Sequence, residues 1–313
     1  MSFIGDLQSI LILLAIPFYL VGLIGNILVI RIVHKTREMH TTTNYLLVNL
    51  AVSDITTILL APIFPLALIL QVHLSNDLGK FLCKFTALVE ISGIASVFTL
   101  TVLAVERYHA LLKPFRTGLR LSNENIKKAI SLIWVSSTLL CSPDFVFRDW
   151  SESQSICVGP WTLYMNKATK IHVIVISVLS IYIPLAIMLY CYGSLIRGLY
   201  FTNTICPITA GERSLEKERL VITFILVTAG FSICYAPTVV FNNVVAFKDV
   251  EDRDWKLYTD LYFVVSFVLV CSLCLNPILY AFRSANFQEG FKRVILCQRE
   301  PEPHNPGLQL EDR

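Results

Sequence analysis

Long apolar stretches alternate with short polar segments along almost the whole chain. Seven of the stretches reach about 20 mostly apolar residues, the length that a helix needs to cross the hydrocarbon of a bilayer. Hydrocarbon cannot hydrogen-bond to the backbone, so each stretch is predicted to be helical. The pattern therefore predicts an all-α membrane protein, a bundle of seven transmembrane helices. The predicted spans are Leu7–Val33, Tyr45–Val72, Cys83–Leu111, Ala129–Phe147, Ile171–Leu199, Leu220–Phe247 and Leu257–Phe282.

Composition supports a membrane protein and argues against some partners. Of the 313 residues, 55% are hydrophobic and only 16% are charged, and the mean hydropathy is +0.63. So few charges cannot cover the surface of a soluble domain, so the expected surroundings are membrane lipid. The net charge of +3 is small and its basic residues form no single tract, so no nucleic-acid partner is expected.

The basic residues also predict which way the chain crosses the membrane. Most of the 26 lysines and arginines lie in connections that share one side with the C-terminal tail. Basic residues favour the cytoplasmic side of a membrane. We therefore expect residues 1–6 to form a short extracellular N-terminus, residues 7–282 to form the seven-span domain and residues 298–313 to form a disordered cytoplasmic tail.

Polar side chains occur inside several predicted spans. Asp54 lies in the second span, Asn26 in the first and Asn276 in the seventh, and Ser96 and Ser272 complete a polar cluster near mid-membrane. Amides and hydroxyls often only join neighbouring helices. A carboxylate in a span is more expensive and needs a partner or a task. Asp54 is therefore expected to hold either a sodium ion or a proton.

Two further patterns indicate a bundle that changes shape. Glu106-Arg107-Tyr108 ends the third span on the inner side, where the arginine either extends to the membrane surface or has a function. Prolines remove helical hydrogen bonds and create hinges. They occur in the fourth to seventh spans, at Pro143, Pro184, Pro237 and Pro277.

Cys83 and Cys157 are both predicted on the outer side, at the top of the third span and in the longest outer loop. The outside of a cell is oxidising, so the two thiols are expected to form a disulfide that fixes the loop over the bundle. The alternative is two free thiols.

These landmarks, each in its own span and in this order, resemble the rhodopsin-type (class A) G-protein-coupled receptors over about residues 20–297. The resemblance implies a plasma-membrane receptor with no enzymatic activity. Its second inner loop and its outer-loop segment Cys157-Val-Gly-Pro-Trp161 are similar to those of neuropeptide receptors. The motifs are Asn26 after two glycines, Asn49-Leu-Ala-Val-Ser-Asp54, Glu106-Arg107-Tyr108, Trp134, Pro184 with Tyr192, Phe231-x-x-Cys234-Tyr235-x-Pro237 and Asn276-Pro277-x-x-Tyr280.

The resemblance implies a role for each cytoplasmic residue. Arg107 lies in the cavity that receives the G protein, and Pro114 and Phe115 contact it from the second inner loop. Tyr192 and Tyr280 turn inward when the sixth helix moves outward. The coupling and activation residues are then Glu106, Arg107, Tyr108, Pro114, Phe115, Tyr192, Asn276, Pro277 and Tyr280.

The resemblance also concerns bound groups. Asp54, Ser96, Ser272 and Asn276 match a sodium pocket that favours the resting state. Val270 stands where visual pigments carry the retinal lysine, so no retinal and no other cofactor is expected.

Residues 283–297, after the seventh span, resemble the family's short amphipathic eighth helix on the membrane surface. Phe287, Phe291 and Ile295 are expected to face lipid. Cys297 is expected to carry either a palmitoyl group or a free thiol.

Several positions depart from the family pattern. Tyr235 replaces the tryptophan near the sixth-helix proline, and Lys217 stands where an acidic partner for Arg107 is usual, which puts that ion pair in doubt. The third span is one residue shorter than usual. The outer-loop tryptophan is missing, with Leu78 near its place.

The ligand pocket is expected to contain Glu90, Tyr235, Tyr262 and Ser266. The shortened third span places either Glu90 or Val89 at the position where amine receptors carry an aspartate. Glu90 is expected to bind either a cationic ligand or a group on a neighbouring helix.

The neuropeptide-like loops favour a peptide ligand and a heterotrimeric G protein as partners. One alternative is a receptor for a biogenic amine or another small cation that uses Glu90. Another is a seven-helix proton transporter that uses Asp54, Glu90 and Glu106 as a proton path.

Overall fold

The seven predicted spans are seven helical segments in the structure, a computed structural model. It describes residues 5–70, 72, 74–113, 121–151, 156–158, 167–201, 211–247 and 254–295. The seven-helix prediction is confirmed, because seven segments are long and apolar enough to cross a membrane. Their helices are Asp6–Lys35, Thr42–Leu60 with Ile63–Ile69, Asn76–Phe85 with Ala87–Leu112, Asn123–Phe147, Lys167–Ser177 with Ile183–Tyr200, Gly211–Phe247 and Trp255–Arg283.

The main irregularities fall in the second, third and fifth spans. The second span is interrupted at Ala61 and Pro62, and the third at Thr86. In the fifth span, a π-helical turn at Val178–Tyr182 precedes Pro184, which has no N–H for the regular helical bond. The prolines of the fourth, sixth and seventh spans lie inside continuous helices, at Pro143, Pro237 and Pro277.

The third, fourth and sixth helices begin earlier than their apolar stretches. Ser75 and Ser122 accept hydrogen bonds from backbone N–H groups at the starts of the third and fourth helices, which satisfies otherwise unpaired donors. The sixth helix begins at Gly211, within the predicted inner loop. Hydropathy identifies only the part of a helix that lies within lipid, so the apolar pattern does not predict the polar ends of these three helices.

The third span lies at the centre of the bundle, against the second, fourth and fifth spans, and the first packs against the second and seventh. The largest core cluster includes Val29, Leu46, Leu100, Leu103 and Leu195. Many large apolar side chains remain exposed on the outside of the bundle, as expected for a surface that faces lipid.

The first and seventh helices approach closely at Gly25. A Cβ atom on Gly25 would lie 2.7 Å from two ring carbons of Pro277, whereas a Cβ on Gly193 would meet nothing within 4 Å. We expect Gly25→Leu to reduce the free energy of unfolding by about 1–3 kcal/mol, the usual cost of overpacking. Thermal unfolding in detergent measures this, with Gly193→Leu as the matched control. Equal unfolding midpoints for the two variants would contradict the close packing.

A small hairpin covers the outer end of the bundle. Strand β1, Asp149–Ser151, pairs antiparallel with strand β2, Ile156–Val158, and Trp150 lies opposite Cys157. The predicted disulfide is confirmed, since Cys157 is bonded to Cys83 with a Cα–Cα distance of 5.4 Å. The hairpin is therefore fixed to the third span.

Trp150 packs the hairpin onto the second and third spans. Its ring stacks on Phe64 with a centroid distance of 5.4 Å, and it approaches Gly79 so closely that a Cβ there would lie 2.5 Å from the indole. An indole from the second outer loop thus lies against Gly79, next to Leu78, where the family's tryptophan is missing.

The surface helix after the seventh span is Ala285–Ile295. The prediction that Phe287 faces lipid is wrong, because this side chain is only 3% exposed and stacks on Tyr280 at a centroid distance of 5.3 Å. Phe291 also packs partly against the core. The amphipathic pattern identified the apolar face, but the seventh helix covers part of it. Cys297 and residues 298–313 lie outside the described residues.

Candidate functional site: the cytoplasmic switch and the outer mouth

Arg107 lies among three helices at the cytoplasmic end. Its guanidinium donates to the Glu106 carboxylate at 2.6 Å and to the hydroxyl of Thr43 in the second span. It also lies over the ring of Phe224 in the sixth span, 5.6 Å from the ring centroid. We call these four residues the Arg107 cluster. Moving the sixth helix away would remove the cation–π contact, so the cluster depends on the position of the sixth helix.

Glu106 is the carboxylate that pairs with Arg107 among the described residues. Glu218 accepts a hydrogen bond from Tyr200 at 2.9 Å, so it is bonded to the end of the fifth span. The side chains of Glu216 and Lys217 lie outside the described residues.

The two tyrosines with predicted switching roles are both buried. The Tyr192 hydroxyl accepts a hydrogen bond from Thr228 at 3.1 Å, which joins the fifth and sixth spans. Tyr280 lies on Phe287 of the surface helix, and its hydroxyl has no hydrogen bond within the described part of the chain. If the sixth helix moved, the Tyr192 hydroxyl would lose its hydrogen bond from Thr228.

Tyr108 points toward the fifth span. Its ring lies 5.8 Å from that of Tyr190, and the Lys113 ammonium is 4.9 Å from the Tyr108 centroid. Pro114 and Phe115, which follow directly, lie outside the described residues.

The mid-membrane polar residues are all buried. The Asn276 amide donates to Oδ2 of Asp54 at 2.9 Å, joining the seventh and second spans. Asn26 donates to the Leu273 carbonyl at 2.9 Å, joining the first span to the seventh. Ser272 donates to a carbonyl of its own helix, and Ser96 is buried in the third span.

Asn49 joins three helices. Its amide donates to the Thr99 hydroxyl at 2.7 Å, and its carbonyl oxygen accepts from the Trp134 indole at 2.9 Å. The sequence motif marked Asn49 and Trp134 without predicting that they contact each other.

The outer mouth contains an ionic cluster. Glu90 pairs with Arg148, the residue after the fourth helix, and Arg148 also donates to the Thr86 hydroxyl at 3.0 Å. Asp144 lies 3.8 Å from the same guanidinium and 3.7 Å from Nε2 of His172 in the fifth span. Of the two alternatives for Glu90, the structure shows the contact with a neighbouring helix. We call Glu90, Asp144, Arg148 and His172 the outer charge cluster.

Tyr235 lies between the outer mouth and the core. Its ring stacks on Phe231 at 5.3 Å, and a Cβ atom on Gly93 would lie 3.2 Å from its hydroxyl. Among the other predicted pocket residues, Ser266 is half-buried. Tyr262 is exposed, and its ring centroid lies 6.3 Å from that of Phe241.

Comparison with known proteins places this arrangement in a family. A sequence model described as "7 transmembrane receptor (rhodopsin family)" matches residues 25–280. The chain belongs to this receptor family. Activation of G proteins is the family's general function, so this receptor is a G-protein activator, and its relatives are receptors rather than enzymes.

Several receptors are similar over most of the chain. Somatostatin receptor type 5 of Rattus norvegicus is 31% identical over 92% of this chain and 80% of its own length. Neuromedin-K receptor of Mus musculus is 29% identical over 88% of this chain and 61% of its own length. Substance-P receptor of Homo sapiens is 28% identical, with shares of 88% and 68%.

The fold is also that of a solved structure. The crystal structure of squid rhodopsin superimposes with a TM-score of 0.74 at 20% identity, over 94% of this chain and 87% of the rhodopsin chain. The receptor is therefore a multi-pass membrane protein with the rhodopsin fold.

Sequence reasoning missed Asp144. It is a fully buried carboxylate within the apolar stretch Ala129–Phe147, directly after Pro143. The same rule that singled out Asp54, that an ionisable group within a span needs a partner, applies to Asp144. Thr43, Phe224 and Thr228 carry no such signal, because they become significant only through contacts distant in sequence.

Proposed function

We propose that an extracellular peptide activates this receptor and that the signal reaches the G protein through the Arg107 cluster. The observation that carries the proposal is that Arg107 contacts both Thr43 and Phe224, and so depends on where the second and sixth helices lie. The N-terminus is extracellular and the receptor lies in the plasma membrane, with basic loops on the cytoplasmic side.

The mechanism is a shift between two helix arrangements. A ligand that binds the open arrangement more tightly increases its population, and about 1.4 kcal/mol of differential affinity gives a tenfold change. Outward movement of the sixth helix removes Phe224 from Arg107 and separates Thr228 from Tyr192. Arg107 then faces a cavity for the G protein, which Pro114 and Phe115 border.

Two observations favour a peptide over a small amine. The similar receptors are named for somatostatin, neuromedin K and substance P, which are peptides. Glu90, the carboxylate that an amine would use, is already paired with Arg148. An amine would have to compete with this internal guanidinium.

The test is nucleotide exchange by purified receptor and G protein in lipid vesicles. A library of neuropeptides and a library of biogenic amines are compared, and pH-driven proton flux is measured in the same vesicles. We expect at least one peptide to accelerate exchange with no proton flux. Acceleration by amines alone would overturn the peptide proposal, and flux without exchange would support the transporter.

We also propose that Asp54 can hold a sodium ion, with oxygens of Ser96, Ser272 and Asn276 nearby. The fit rests on a buried carboxylate, 3% exposed, whose Oδ2 accepts a hydrogen bond from Asn276. An ion at this position would add a link between the second, third and seventh spans.

Sodium is expected to lower basal nucleotide exchange severalfold relative to potassium at equal ionic strength, because allosteric couplings typically lie at about 1–3 kcal/mol. Asp54→Asn should remove this difference, since a neutral amide attracts the cation weakly. Thr57→Val, which removes a nearby buried hydroxyl, is the control and should retain it. Sodium sensitivity that persists in Asp54→Asn would contradict the assignment.

A further inference from the structure

The guanidinium of Arg148 lies between two carboxylates at the outer mouth. It donates to Glu90 on the third span and to the hydroxyl of Thr86, and it lies 3.8 Å from Asp144, one helical turn earlier in its own chain segment. This guanidinium therefore joins the third span to the end of the fourth.

The members of this cluster are buried to different degrees. The side chain of Asp144 is 0% exposed, that of Arg148 is 13% exposed and that of Glu90 is 38% exposed. Asp144 lies deepest, and Glu90 is the carboxylate that a molecule entering the outer mouth can reach. Arg148 occupies the space between them.

Asp144 explains why Arg148 stays in this place. A fully buried carboxylate is strongly unfavourable without a nearby cation, and neither of its oxygens has a hydrogen bond within the described part of the chain. Burial alone would lower the pKa of Arg148, but Glu90 and Asp144 raise it above its ordinary value. The guanidinium is therefore charged, and Asp144 holds it beside Glu90.

Arginine and carboxylate groups pair through a planar, directional contact that an ammonium group reproduces poorly. In the structure Arg148 contacts Oε1 of Glu90 through one terminal nitrogen, Nη2, and an arginine side chain of a ligand could make the same contact. An intramolecular group also has a high effective concentration at its site, so an external cation competes at a disadvantage.

We infer that Arg148 pairs with the Glu90 carboxylate when no ligand is bound. A ligand binds Glu90 only with a guanidinium group that can displace Arg148. Asp144 is the positioning residue that keeps Arg148 there. The inference rests on the proposed function in that the outer mouth receives the ligand. It makes Arg148 a specificity-determining residue that excludes simple amines and favours arginine-containing peptides.

The test removes the Arg148 side chain and supplies a free guanidinium compound in its place. Arg148→Ala is prepared as the full chain in lipid nanodiscs, and its thermal unfolding is followed with added L-argininamide or with uncharged L-citrullinamide. We expect half-maximal stabilisation by argininamide at a concentration at least tenfold lower in Arg148→Ala than in wild type, with no such difference for citrullinamide. The gain should be lost in Glu90→Gln/Arg148→Ala. Asp144→Asn should show a smaller gain.

Lys84→Ala is the matched control, because Lys84 is a cation at the same mouth that donates to the carbonyl of Val146. It should bind argininamide as wild type does. Equal argininamide binding by wild type and Arg148→Ala would overturn the inference, as would a gain that survives Glu90→Gln. If Arg148→Ala does not fold, Arg148→Met keeps the aliphatic packing and gives the same comparison. The assay contains neither peptide nor G protein, so its outcome is separate from that of the peptide screen.

Discussion

Replacing Arg107 with alanine should lower G-protein activation by about thirtyfold or more, the effect expected when an interface loses a contact worth about 2 kcal/mol. In the structure Arg107 contacts the second, third and sixth helices, and in the open arrangement it is the cation proposed to meet the G protein. Nucleotide exchange by purified receptor measures the loss.

The control is Arg31→Ala, an exposed cation of the first helix near the same membrane surface. Arg107→Ala also leaves the buried Glu106 without its partner, so Glu106→Gln/Arg107→Ala is measured beside it to separate unfolding from loss of coupling. The role assigned to Arg107 fails if the double variant unfolds at the wild-type temperature and activates the G protein normally.

Removing the disulfide in Cys83→Ser/Cys157→Ser should reduce stability by about 2 kcal/mol or more, as for other native disulfides. The bond closes a separation of 74 residues and holds the hairpin, with Trp150, over the outer ends of the second and third spans. The thermal midpoint of unfolding in nanodiscs should fall accordingly.

A reducing agent provides an independent check on the same protein. It should lower the midpoint of the wild type and of Cys234→Ala, which removes a half-buried free thiol, and should leave Cys83→Ser/Cys157→Ser unchanged. A wild-type midpoint that does not respond to full reduction would show that the bond contributes little.

The number of spans could be predicted because lipid imposes one simple rule, a minimum length of apolar helix. This rule does not apply to helical segments that lie outside the hydrocarbon. The sixth helix extends to Gly211 outside the hydrocarbon, where hydropathy carries no information. The interruption of the second span at Ala61 and Pro62 was missed even though Pro62 was visible in the sequence.

The site was predicted as a set of residues rather than as a set of contacts. Motifs identified Arg107, Asp54 and Glu90 because charges are expensive in membranes. Their partners, such as Thr43 for Arg107 and Arg148 for Glu90, come from segments distant in sequence. Phe287 shows the same limit, since periodicity reveals an apolar face but not which neighbour covers it.

The stack of Tyr280 on Phe287 ties the inner end of the seventh helix to a helix at the membrane surface. If Tyr280 turns toward the bundle axis, a hole the size of an aromatic ring opens beneath the surface helix, and tightly packed interiors do not tolerate such holes. Either the surface helix follows the tyrosine or an acyl chain fills the space. The thickness and fluidity of the inner leaflet would then influence how readily the receptor switches on.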